Sequence, residues 1–365
     1  MPSEKHPLKL KPAFRPMSLP AQLVEVLRGD IGVQKLGPVL PGERQLAVAY
    51  HVSRATMRRV VEALIDEHLL ARKSNGRLVV GEARGLPRGG RASGIEHVGF
   101  ITRFRMHELA RHELIWLDRL REMLMISGFR LTVHSRADIY HKEPRSHLRL
   151  LMEEYPKTIW LLHRSTPAMQ AFFPEARIPA IVVGSPHEGS PLPSVENDQY
   201  SLSFNAALLA KRRGYEHLVF LFNDDSAAGV RLGMRGLNDG IARTGLRLTL
   251  KRYEYNVSPV LDSLHALAGQ KRERCVLLVD AAYSALRAMT WLMGKGVRFP
   301  RDLGLFCRDS AGYLNECCPA VEHYAFDPLA FAQKAHRCVL HLGRGESLHG
   351  KSFKIIPALI KGGSL

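Results

Sequence analysis

Apolar positions recur at three- and four-residue steps in two stretches near the N-terminus. Leu23, Val26, Leu27 and Ile31 stripe residues 19–31, and Met57, Val60, Val61, Leu64 and Ile65 stripe residues 54–67, so both are expected to be helices. Between them Pro41-Gly42 breaks the chain, and residues 43–50 form a shorter helix with Leu46 and Ala47 inward. His51-Val52 makes the turn, and Ser53 stands as the N-cap of the third helix. Residues 69–80 read as two short strands turned at Ser74, Asn75 and Gly76. Three helices and a hairpin is the winged helix-turn-helix arrangement.

After residue 96 the period changes. Short apolar runs at 98–102, 130–133, 158–162, 180–183, 218–222, 247–253, 275–279 and 303–307 predict strands. Amphipathic stretches at 114–126, 199–213, 230–244, 260–268 and 281–295 predict helices. Gly128, Gly214, Gly245 and Gly296 close several of them. Strands alternating with helices imply parallel sheets with right-handed crossovers. The expected fold class is therefore α/β: a winged helix-turn-helix followed by a domain of two successive α/β lobes.

Composition divides the chain further. The 365 residues carry a formal net charge of +17. Residues 85–94 contain five glycines or prolines and no apolar period, which marks a linker. The predicted organisation is a head at 1–84, the linker at 85–94 and a larger domain at 95–365. Residues 1–92 hold 16 Lys/Arg against 8 Asp/Glu, a net of +8, while the other 273 residues carry only +9. Such asymmetry points to a small polyanion-binding module joined to a nearly ordinary domain. No apolar run is long enough for a membrane span, and residues 1–11 are too polar for a secretory signal. Five cysteines without framework spacing predict reduced thiols and a cytoplasmic setting.

The third helix carries the chemistry of the head. Its first two turns present Ser53, Arg54, Thr56 and Arg58 on the polar side. Arginine reaches guanine edges with two parallel donors, and Ser or Thr can hold a phosphate beside a helix N-terminus. Arg77 at the wing tip suits the neighbouring DNA backbone. The stretches Val39-Leu-Pro-Gly-Glu-Arg-Gln-Leu-Ala47 and Val52-Ser-Arg-Ala-Thr-Met-Arg58 together resemble the GntR family pattern, over about residues 19–80. That resemblance implies DNA contacts from Arg44, Ser53, Arg54, Thr56, Arg58 and the wing glycine Gly76.

The larger domain is similar to the LacI/GalR sensor domain, itself similar to periplasmic sugar-binding proteins. The likeness rests on Val195-Glu-Asn-Asp198, on Arg213-Gly-Tyr-Glu-His217, on Leu277-Leu-Val-Asp280 and on residues 296–309, in order. In that family a small effector lies between two lobes. The resemblance transfers polar or aromatic effector contacts to Asp280, Asp309 and Tyr255. Position in the pattern adds Arg103 and Phe104 after the first strand, and His163 after the third. The family's effector-holding Arg falls on Gly233 here, with Arg231 and Arg235 flanking, and Arg231 is the chosen substitute. Paired carboxylates and a flat ring suit a carbohydrate.

Other signals lead elsewhere. His107 and His112 are five residues apart, so they would diverge on a helix and do not match a zinc-protease pair. His134, His141 and His147 read as solvated residues around a polar loop. Phosphate-loop, nucleophile-elbow and Ser-x-x-Lys motifs are missing from the sequence. The chain thus reads as a non-enzymatic, cofactor-free, ligand-responsive transcriptional regulator, expected to be a homodimer on a palindromic operator in double-stranded DNA. Alternatives are a DNA-binding head on a pyridoxal-phosphate, aminotransferase-like domain, a regulator with a vestigial cleft, and a transporter's binding protein.

Overall fold

The computed structural model describes residues 39–50, 52–66, 70–73, 76–80, 94–223, 227–253, 258–268 and 274–365, together with helical Leu23, Val24 and Leu27. The chain divides into two compact units, Met1–Gly90 and Arg91–Leu365. All of the linker at 85–94 except Gly94 lies outside the described residues.

In the smaller unit α1 spans Glu43–Ala49 and α2 spans Arg54–Asp66. Ser53 caps α2: its Oγ accepts from the Thr56 amide at 3.0 Å. The apolar stripe of α2 packs Met57, Val60, Val61 and Leu64 against Leu23, Leu27 and Leu46. Strands β1 (Leu70–Arg72) and β2 (Leu78–Val80) pair antiparallel, Leu70 opposite Val80. Gly76 takes φ +77°, and the Lys73 amide bonds Arg77 O, closing the wing. An isolated bridge from Val39 to Val79 adds a third segment that the sequence pattern did not show.

The larger unit contains two six-stranded sheets. The first lobe holds β3 (His97–Thr102), β4 (Arg130–Ser135), β5 (Thr158–His163), β6 (Ala180–Val183) and β7 (Ser194–Asn197), completed late in the chain by β13 (Ser352–Ile355). Its order is β13-β7-β6-β5-β3-β4, all parallel. The second lobe holds β8 (His217–Asn223), β9 (Arg247–Tyr253), β10 (Cys275–Val279), β11 (Gly304–Cys307), β12 (Glu322–Ala325) and β14 (Ala358–Ile360). Its order is β14-β12-β11-β10-β8-β9, with only β14 antiparallel.

The helices of this unit are α3 (Arg111–Ile126), α4 (Arg145–Glu154), α5 (Pro167–Glu175), α6 (Gln199–Arg212), α7 (Ala228–Thr244), α8 (Ser258–Ala268), α9 (Ala282–Gly294) and α10 (Pro328–Gly343). Trp116, Leu117 and Leu120 of α3 share a core with Phe331 and Ala335 of α10, so α10 belongs to the first lobe although it follows the second in sequence. The lobes are therefore interleaved and not successive. The chain crosses between them after β7, after β12 and between β13 and β14.

Several local expectations change with the tertiary context. Helices α4, α5 and α10 and strands β7, β12, β13 and β14 were not legible in the apolar pattern. In α4 only Leu148 and Leu151 are buried, and α5 carries Pro167 at its start and Pro174 inside. His134 is not solvated: it is 9% exposed, edge-on to Tyr155 at 4.6 Å between ring centres. His147 lies in the first turn of α4, flanking that loop.

Candidate DNA-binding face and inter-lobe cleft

Every residue expected to meet DNA is described. Arg44 on α1, Ser53, Arg54 and Arg58 at the start of α2, and Gly76 and Arg77 on the wing are exposed, and Thr56 is partly exposed. The packing of α2 explains this. Its apolar stripe faces the core, which leaves the Ser–Arg–Thr–Arg side in solvent. Ser53 Oγ and Thr56 Oγ1 lie 2.8 Å apart at the N-terminus of α2, a suitable phosphate seat. Arg58 Nε donates to Glu62 Oε1 at 3.0 Å, and Arg72 Nη2 donates to Glu43 Oε1 at 2.6 Å. Arg54, Arg58, Arg72, Glu43 and Glu62 line one groove beside α2. Both acidic partners hold arginines that a polyanion could claim.

In the larger unit the strand C-termini of both lobes meet at the crossings, where α/β folds bind ligands. On the first lobe, the Arg103 and Arg164 guanidiniums lie 4.8 and 5.3 Å from the Phe104 ring centre. His163 is buried at the end of β5, with neither nitrogen available. The Phe104 amide donates to Thr102 Oγ1, and that hydroxyl lies 3.0 Å from His163 Nδ1. His163 Nε2 lies 3.1 Å from Glu113 Oε1, and the other Glu113 oxygen accepts from the Ala110 amide at the start of α3. Burial pushes the imidazole below its ordinary pKa despite Glu113. Burial works the other way on Glu113, but the hydrogen bond from His163 and the charge of Arg164 hold its carboxyl well below the usual range. The stable arrangement is a neutral imidazole donating from Nε2 to an ionised carboxylate. Glu113 had no motif to announce it.

On the second lobe, Asp280 is spent on structure. It accepts from the Asn223 amide at 2.7 Å and from the Tyr253 hydroxyl at 2.7 Å. Burial raises its pKa against those donors. Asp309 accepts from the amides of Ala282 and Ser310, which caps the start of α9. Tyr255 lies outside the described residues.

Among the described residues, two polar contacts between side chains span the cleft, beside the packing of the His112 ring on Phe326 at 4.9 Å between ring centres. His112 Nδ1 of the first lobe lies 3.7 Å from Asp309 Oδ1. Arg231 of α7 places Nη2 2.6 Å from His187 Nδ1 in the loop after β6, while His187 Nε2 bonds Ser165 O. A neutral His187 accepts from Arg231, consistent with burial and that neighbouring cation lowering its pKa. The structure therefore brings Arg231 and Asp309 to the lobe boundary, and Arg103 and Phe104 to one strand end.

One residue that sequence reasoning passed over stands at the same boundary. Arg308 is 8% exposed, one residue past β11. Its Nη2 donates to Gln199 Oε1 at 2.8 Å, and its guanidinium lies 5.3 Å from the Phe220 ring centre. Among the described residues its Nε has no acceptor. The signal was present: Arg308 immediately precedes Asp309, a residue already expected at the effector.

The two units together define a winged-helix DNA-binding head on a domain of periplasmic-binding-protein-like fold. Residues 21–80 match the family described as bacterial regulatory proteins, gntR family. The rest of the chain has the fold of LacI-type regulators. A LacI family transcriptional regulator from Silicibacter pomeroyi superposes with TM-score 0.62 at 16% identity, covering 74% of this chain and 98% of that one. A periplasmic binding protein/LacI transcriptional regulator from Alkaliphilus metalliredigens, complexed with D-xylulofuranose, gives 0.61 at 14% identity, with 74% and 98% covered. The transcription regulator CcpA of Lactococcus lactis gives 0.61 at 13% identity, with 74% and 99% covered. A search of curated proteins finds no match. Residues 21–80 thus form a GntR-type domain, and the larger unit has a LacI-like, periplasmic-binding-protein-like fold. Among the described residues no helix is long and apolar enough to cross a membrane.

Proposed function

We propose that this regulator binds a palindromic operator as a homodimer and responds to a small molecule, a carbohydrate or carbohydrate derivative, held between the two lobes. The division into a head at 1–84, a linker at 85–94 and a sensor at 95–365 belongs to this reading. The observation that carries it is the polar start of α2: Ser53, Arg54 and Arg58 exposed on a helix whose other side is locked into the head core. In this reading α2 enters the major groove, Arg54 and Arg58 meet base edges or phosphates, and Arg44, Gly76 and Arg77 lie along the backbone. Arg103, Phe104, Arg231 and Asp309 border the effector, and Tyr255, outside the described residues, is expected from the sequence to join them. His163 holds Glu113 and Asp280 holds Tyr253, so both shape the cleft from beneath. The effector acts by binding one lobe geometry more tightly than another, since only differential affinity shifts a population. The LacI-like fold offers no support for an aminotransferase-like domain, so no enzymatic activity is assigned.

The test is fluorescence anisotropy on operator DNA with wild type, Arg54→Ala and Arg58→Ala across a salt series. Each variant is expected to lose at least about tenfold in affinity, worth ~1.4 kcal/mol, and roughly one unit of salt slope if its contact is to phosphate. Unchanged affinity and slope in both would remove α2 from the interface.

A further inference from the structure

We propose that the effector carries an anionic group, a carboxylate or a phosphate, and that Arg308 is the residue that binds it. This rests on the small-molecule sensing proposed above and narrows it. A buried guanidinium is costly unless it is paired or fully hydrogen-bonded. Arg308 is more than nine-tenths buried, yet among the described residues it forms no ion pair. Its one described hydrogen bond goes to a neutral amide, Gln199 Oε1, and its Nε donor is unanswered. The Phe220 ring offsets part of the cost from one side.

The two nearby carboxylates do not complete the pairing. Asp280 and Asp309 act on Arg308 only through space, because each is turned onto backbone amides and, for Asp280, onto the Tyr253 hydroxyl. Arg308 adjoins the lobe boundary, because the next residue, Asp309, faces His112 of the first lobe at 3.7 Å. Gln199 opens α6 directly after the first crossing, and Gly229 at the start of α7 lies against both Gln199 and Ser185 of the first lobe. A planar fork with unused donors at such a place matches a carboxylate or a phosphate, each of which accepts two parallel N–H groups.

Gly233 shows that the fold makes room for this arginine. A Cβ built at Gly233 would lie 2.5 Å from Arg308 Nη2. Glycine within a helix is disfavoured relative to alanine, and here it frees the space the guanidinium occupies.

The experiment uses the full chain as wild type, Arg308→Gln and Gly233→Ala. Thermal unfolding and titration calorimetry are run with inorganic phosphate, a hexose 6-phosphate, a hexuronate and the parent neutral hexose at matched ionic strength. At least one anionic probe is expected to stabilise wild type and to bind at least tenfold more tightly than the neutral hexose. Both variants should lose that preference, and the relative strength of phosphate and uronate separates the two anion sources. Gly233→Ala keeps the charge and only displaces it, so it carries the test if Arg308→Gln folds poorly. An anionic response of equal size in both variants, or none in wild type, overturns the assignment. A neutral hexose that binds wild type as tightly as every anionic probe overturns it while leaving sensing intact. Silence of every probe, in protein that still binds DNA, overturns the anion assignment and the carbohydrate-effector reading together.

Discussion

His336 illustrates how burial converts an ordinary side chain into a pH-dependent one. It sits on α10 at 8% exposure, with Nε2 2.8 Å from Ser127 Oγ. Burial, aided by the charge of Arg337, lowers its pKa to about 4. The unfolded chain takes up a proton near the ordinary value of ~6.5, whereas the fold refuses it until about 4. Its contribution is thus fully present above ~6.5 and is lost as the pH falls toward 4, at up to roughly 1.4 kcal/mol per pH unit. Urea unfolding at about pH 7 and pH 5 should show wild type losing roughly 2 kcal/mol more than His336→Gln. His134, His163 and His187, all depressed by burial, add to the acid sensitivity both proteins share. Equal slopes in the two proteins would mean that His336 is protonated in the fold.

Between elements, the tightest constraint is the contact of α6 with α7. Gly236 faces the α6 backbone so closely that a Cβ would lie 2.2 Å from Tyr200 O, and at Gly240 it would lie 2.8 Å from Ala207 Cβ. Backbone cannot yield as a flexible side-chain tip can. Gly236→Ala gains ~1 kcal/mol of helix propensity, but separating the helices should cost more, a net loss of at least ~2 kcal/mol or outright failure to fold. Chemical denaturation decides the sign, and a stabilised Gly236→Ala would show that α7 can move off α6. The same helix carries Gly233, where only a side-chain tip must shift, so the two substitutions should differ sharply in stability. Gly233, Gly236 and Gly240 repeat at helical spacing and were visible in the sequence. Their different partners were not, because spacing does not reveal what approaches a face.

For the whole molecule the question is how two units produce one regulated binding event. A head with one recognition helix reads one half-site, and two heads read an inverted repeat. If the protein is a dimer, an intact inverted repeat should bind at least about 100-fold more tightly than an isolated half-site at the same salt, since the second contact becomes intramolecular. Equal affinities, with one chain per DNA by mass measurement, would rule the dimer out. In the proposed function, the interleaved lobes give effector binding a mechanical route. Three crossings, at the ends of β7 and β12 and between β13 and β14, must bend together when the cleft changes. His112–Asp309 and Arg231–His187 are among the described contacts that such a change would strain or close.

By itself the sequence determined what depends on near neighbours in the chain. The stripe of α2, its Ser53 cap, the strands 180–183, 247–253 and 275–279, and the glycines ending helices all follow from three- or four-residue spacing, alternation or local backbone freedom. The exposed Arg54 and Arg58 follow too, because a helix with one apolar side leaves the other in solvent. Tertiary structure alone decided what depends on distant partners. It placed α10 and β13 in the first lobe, occupied His163 with Thr102 and Glu113, turned Asp280 onto Asn223 and Tyr253, and set Arg308 over Gly233. Burial without an ion partner is a property of the folded surroundings, so the residue with the most unmet chemistry at the cleft became visible only there.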